Sequence, residues 1–169
     1  MLDYLQNLAL ADWVRSSPSL FAYTTVLTAH AVGLAIVVGV NTLIALRLLG
    51  VAKDIPLAAL PRLYSVVWMG FFINLVSGFL LFIAEAHAMS AMVAFWAKLT
   101  FVALGMIVAL LLKRFYFADV SSVQAGVVTP VGRRLAIASL VCWYVALIVG
   151  RLTGYPDLVA GWLHLSGGI

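Results

Sequence analysis

The chain has 169 residues, of which 65% are hydrophobic and 9% charged, and its mean hydropathy is +1.15. Water-facing domains carry roughly a quarter charged residues, so this composition excludes a soluble fold and points to an integral membrane protein. The net charge is +4, but the cations are spread over the ends of apolar runs rather than massed in one patch, which argues against a nucleic-acid surface. Cys142 is the single cysteine, so no intrachain disulfide can form.

Residues 1–12 contain Asp3 and Asp12 and no Lys or Arg. The positive region of a cleavable signal is therefore missing, and the first span is expected to be the retained insertion signal. Leu2, Leu5, Leu8, Ala9 and Trp13 recur at helical spacing and predict a short interfacial helix. Four apolar runs follow, at 18–49, 62–86, 90–112 and 133–155. Each is near or above the ~20 residues that cross a bilayer. Ser17 and Pro18 suit an N-cap and first-turn proline for the first run, Gly50 suits its stop, and Pro61 opens the second. The turn between the second and third runs is short, so those helices are expected to be antiparallel neighbours. Residues 156–165 predict a second interfacial helix carrying Trp162 and His164, stopped by Gly167 and Gly168. Trp13, Trp96 and Trp162 are read as an aromatic belt that anchors the interface. The expected fold is all-α: one domain over 1–169, a four-helix transmembrane bundle with short interfacial helices at both ends.

The cations give an orientation. Arg47, Lys53 and Arg62 flank the first loop, and Lys113, Arg114, Arg133 and Arg134 flank the third. Arg15, Lys98 and Arg151 fall on the opposite side. The positive-inside rule places the two basic loops in the cytoplasm and both termini outside.

His30 lies inside the first span. An imidazole in hydrocarbon is costly without a partner, which makes it a candidate site residue. His30, Gly33, Val37 and Asn41 share one face, as do Asn74, Ser77, Gly78, Leu81 and Glu85 on the second helix. Both faces are expected inside the bundle, with Asn41 and Asn74 as hydrogen-bonding glue between helices. A rise of ~1.5 Å per residue puts His30 ~26 Å above Arg47, Lys98 ~22 Å above Lys113, and Arg151 ~26 Å above Arg134. Three helices thus bring a polar group to one level near the outer interface. Glu85 and His87 fall higher, at ~34 and ~38 Å above Arg62, and His164 reaches the zone if the C-terminal helix folds back.

This set suits haem b. A neutral imidazole can ligate iron, cations can pair with propionates, and apolar walls can hold the ring. His30 is the expected iron ligand, with His87 or His164 opposite it. Lys98 and Arg151 are the propionate candidates, Arg151 because its fork matches a carboxylate. Tyr155 and Glu85 complete the zone. Two other readings stand beside it. One has no cofactor: His30 bonds a backbone carbonyl, Glu85 pairs with Lys98, and the bundle anchors a partner. The other handles copper through His30, His87, Met89 and Met92, a loose soft-ligand group.

Several short segments carry a family resemblance: Ala29-His30-Ala31-Val32-Gly33-Leu34, Leu46-Arg47-Leu48-Leu49-Gly50, Ser77-Gly78-Phe79-Leu80-Leu81-Phe82, Phe95-Trp96-Ala97-Lys98, and Gly150-Arg151 followed by Tyr155. In this order they resemble a family of small, uncharacterised four-helix proteins of the bacterial inner membrane. More remotely, His30 and Lys98 resemble the histidine and lysine of copper-resistance D-type proteins and bacterial membrane protoporphyrinogen oxidases. In the latter, those positions are associated with haem b. The resemblance implies a bacterial inner-membrane location, which makes the outer side of the cation-based orientation, with both termini, the periplasm, and it supports His30 and Lys98 only. The combined expectation is a b-type haem subunit that passes electrons between a periplasmic partner and the quinone pool or a larger complex. Its expected surroundings are lipid, further subunits or a second copy of itself, and quinone.

Overall fold

A computed structural model describes residues 2–17, 20–118 and 126–155. The described residues form helices α1 (Leu2–Gln6), α2 (Ala9–Ser16), α3 (Leu20–Leu49), α4 (Leu60–Ala84), α5 (Ala86–Ala91), α6 (Val93–Leu111) and α7 (Pro130–Leu152). A 3-10 turn at Leu57–Ala59 leads into α4, and a π-turn at Leu112–Tyr116 ends α6. The four long helices, α3, α4, α6 and α7, are each long and apolar enough to cross a membrane. In hydrocarbon every backbone N–H and C=O must be bonded internally, which an uninterrupted helix achieves.

The bundle is held by three pairings: α3 on α4, α3 on α7, and α6 on α7. α4 and α6 do not pack along their lengths. α3 and α4 cross at Gly33 and Gly70. A Cβ on Gly33 would lie 2.6 Å from the Asn74 backbone nitrogen and 2.8 Å from the Gly70 carbonyl oxygen. Only hydrogen fits there, and the small residue lets the two backbones touch. On α7, Trp143 fills the space that Gly105 of α6 leaves, with a Cβ there meeting its ring at 2.8 Å. The core below is apolar and centred on Ile44, Leu48, Leu60, Tyr64, Leu112 and Ala136.

The ends differ in detail from the sequence expectation. α4 begins at Leu60 rather than 62, because the 3-10 turn carries the chain into it. It ends at Ala84, where Glu85 leaves helical geometry (φ −132°, ψ 40°). The short turn after it holds α5, and the extended backbone of Met92 delays α6 to Val93. α7 starts three residues early: the Thr129 hydroxyl accepts from Gly132 N–H at 3.1 Å, and Pro130 occupies the first turn. Gly50 does stop α3. Its φ of 88° sets up two closing bonds, Gly50 N–H to the Arg47 carbonyl and Val51 N–H to the Leu46 carbonyl. Arg47 also donates to the Ile55 carbonyl and ties down the first loop.

The N-terminal interfacial segment is two helices, broken at Asn7 and Leu8. α2 packs on α3 and α4, with Val14 in a cluster with Val26, Leu81 and Ala84. α1 packs on α5. The expected C-terminal helix, with Trp162 and His164, lies outside the described residues.

Candidate functional site

His30 is the polar centre of the bundle's α2–α5 end. Its Nδ1 lies 3.1 Å from the Asn74 carbonyl oxygen. A carbonyl can only accept, so Nδ1 carries the proton and donates. The Ser77 hydroxyl is a second partner for Nδ1 at 3.3 Å, and itself donates to the Ile73 carbonyl at 2.6 Å. The bond is reciprocated, because the Asn74 side-chain amide donates to the His30 carbonyl at 2.8 Å. These bonds lock the ring against α4. Gly78 makes the lock possible: a Cβ there would stand 2.9 Å from His30 Cε1.

With Nδ1 protonated, Nε2 keeps its lone pair. The Lys98 ammonium donates to it at 3.3 Å. Lys98 reaches it from α6 by laying its stem over Gly150 of α7, where a Cβ would meet the stem carbons at 3.2 Å. α3, α4, α6 and α7 thus all shape this one polar pair.

The pair looks into a cavity of about 350 Å³ between α4 and α6. That size lies within the range of ligand pockets, ~300–1,000 Å³. Beyond His30, Lys98 and Asn74, the walls are apolar and strongly aromatic, with Phe71, Phe79, Phe82, Phe95 and Trp96 among them. Phe82 and Phe95 stack across the gap, ring centroids 5.3 Å apart and planes within 9°. Trp96 is pinned by donating from its indole N–H to the Ser90 carbonyl at 2.9 Å.

The other sequence candidates lie elsewhere. Arg151 sits at the expected depth but faces outward, its guanidinium 5.7 Å from the centre of the Tyr155 ring. Neither residue lines the cavity. Glu85 forms the α4–α5 junction and is exposed; the Lys98 amine goes to His30 instead. His87 bonds Asp3 of α1 through Nε2 at 2.8 Å and does not line the cavity. Met89 packs against the apolar cluster of Val14, Val26, Leu81 and Ala84. Among the described residues, no three His, Cys, Asp or Glu side chains gather as a metal site. Asn74 does join two helices, whereas Asn41 bonds the Val37 carbonyl of its own helix at 2.8 Å.

Read from the sequence, Trp96 is an interface anchor and the aromatic wall is not assembled. Its signal is there: Phe71, Asn74, Leu75, Gly78 and Phe82 recur at steps of three and four, as do Phe95, Lys98, Leu99 and Val102. No protein-family model, curated protein or solved structure matches the chain.

Proposed function

We propose that the protein is a membrane subunit that binds haem b in the cavity between α4 and α6 and serves electron transfer. The observation that carries this reading is the His30 tautomer. Ligating histidines characteristically donate their second N–H to a backbone carbonyl or carboxylate, which fixes the ring and leaves the other nitrogen basic. His30 does this with Asn74, and its unprotonated Nε2, which meets Lys98, is on the cavity side. The residues present fit one iron ligand. Among the described residues that line the cavity there is no second histidine or methionine; His87 is turned to Asp3 and His164 lies outside the described residues, so His30 alone carries the ligand role in this reading.

In this site His30 would hold the iron, Lys98 would neutralise a carboxylate of the ring's edge, and the phenylalanine walls would exclude water. Haem b supplies one-electron chemistry when bound. Lys98 must first release Nε2, and its flexible four-carbon stem permits that. We place both termini outside and the two basic loops in the cytoplasm of a bacterial inner membrane, on the cation asymmetry. The proposed electron partners are a periplasmic partner on one side and the quinone pool or a larger complex on the other.

Lys98 on Nε2 also favours a second reading, in which the pair is structural and no cofactor is bound. A pyridine haemochrome assay on protein purified from membranes separates the two. Close to one haem b per chain supports the first; protein that remains haem-free after incubation with haemin supports the second.

A further inference from the structure

We propose that the cavity loads sideways from the bilayer, through the gap between α4 and α6, and that its ligand is a membrane-dissolved ring compound with its polar or anionic groups at one edge. This rests on reading the cavity as a ligand site and adds where the ligand comes from. Three observations carry it. α4 and α6 do not pack along their lengths, so among the described residues the bundle is closed on three sides and open on the fourth. The side chains at that opening, Leu75, Phe79, Trp96 and Leu99, are all apolar and 42–54% exposed. They lie within two of the membrane-spanning helices, so what they face is lipid. At the end nearest α5, the Phe82–Phe95 stack bridges the two helices and narrows the route from water.

The ligand's chemistry follows from the walls. Aromatic faces favour a flat ring by offset stacking. Among the described residues the polar groups converge at one place, the His30–Lys98 pair, so the ligand's polar or anionic groups must gather at one edge of its ring, as the two propionates of haem do, or be buried without a partner. A water-soluble, highly charged ligand has neither a path nor a place.

The test uses full-length protein in lipid vesicles, with Cys142→Ala to remove the native thiol. Val102→Cys puts a reporter thiol on the cavity wall, and Phe71→Cys on the opposite wall repeats the measurement if the first variant folds poorly. Each is reacted with pyrene maleimide, which dissolves in lipid, and with a sulfonated maleimide, which does not. Pyrene maleimide is expected to label the cavity thiol, and the charged reagent to do so roughly a hundredfold more slowly, the scale of the cost of a charge in hydrocarbon. Tryptophans at the mouth, Leu75→Trp with Leu99→Trp, should slow pyrene labelling. Phe82→Ala with Phe95→Ala should speed the sulfonated reagent. Sulfonated labelling as fast as pyrene labelling, or mouth tryptophans without effect, would overturn the proposal. Haemin is then added before labelling. Protection supports both the route and the haem reading. Lack of protection, with the reagent preference intact, keeps the lateral route and removes haem as the occupant.

Discussion

Lys98 Nζ stands 3.3 Å from His30 Nε2, and this contact joins α6 to α3 across 68 residues of sequence. It places a positive charge beside the nitrogen proposed to hold iron. It also uses the lone pair that the iron would take. The two roles of Lys98, competitor for the free imidazole and counter-charge for a bound ligand, can be separated by substitution.

A cation near the iron favours the reduced, less positive state. Lys98→Gln is therefore expected to lower the midpoint potential of bound haem while the Soret band persists. Arg151→Gln should move the potential less, because Arg151 faces away over Tyr155. Spectroelectrochemical titration of both variants checks this. An Arg151 shift larger than the Lys98 shift would place the propionates on the outer side of α7.

The α3–α4 crossing gives a stability prediction with an internal control. Gly33→Ala drives a Cβ into backbone atoms at 2.6 and 2.8 Å, and should cost about 1–3 kcal/mol as overpacking does in tight cores. Gly39→Ala, on the same helix, meets nothing within 4 Å and should stay within about 0.5 kcal/mol of the parent. Unfolding titrations in mixed micelles compare the two. Equal losses would mean that helix flexibility, not the crossing, sets the response.

Outside the spans, His87 holds Asp3 by a hydrogen bond and by its charge, and together these lower the Asp3 carboxyl from its ordinary value of 3.8. The sign follows from the direction. A depressed carboxylate adds stability above its ordinary range, and that stability is lost as pH falls through the depressed value. Docking of α1 on α5 should therefore weaken only below about pH 4 on the acid limb. Both side chains are exposed, so salt should weaken the contact further. Hydrogen exchange of α1 residues against pH reads the effect, and Asp3→Asn should abolish the acid-dependent part.

Topology is checked by thiol accessibility in inverted and right-side-out vesicles, with Cys142→Ala as background. Lys53→Cys, in the first basic loop, is expected to react only from the cytoplasmic face, as the cation asymmetry requires. Reaction from the outside alone would reverse the orientation.

Depth was legible in the sequence and azimuth was not. The level shared by His30, Lys98 and the Gly150–Arg151 pair followed from helix rise, and the contacts among His30, Lys98 and Gly150 match it. Consecutive residues differ by about 100° around a helix, so Gly150 faces the bundle while Arg151 faces out. Apart from the faces marked by His30, Asn41, Asn74 and Ser77, α3 and α4 are largely apolar, so little polar contrast betrays how the rest of each helix is rotated. For the same reason the α4–α6 gap could not be read, since its lipid-facing phenylalanines look like any other. The sequence places a short turn between 86 and 90 but not its full extent from Glu85 to Met92, because neither residue is a proline or glycine. The placement of His87 against Asp3 depended on α1 docking on α5, a contact that no periodicity encodes.

The most direct measurement of the central claim is the visible absorption spectrum of the purified protein beside its His30→Ala variant, each reconstituted with haemin. The account predicts a Soret band with reduced α and β bands for the parent. The variant should lose these bands while keeping the parent's circular dichroism, and should regain them in part when imidazole is added to fill the space. A variant with the parent's spectrum, or a parent that holds no haem at any haemin concentration, would contradict it.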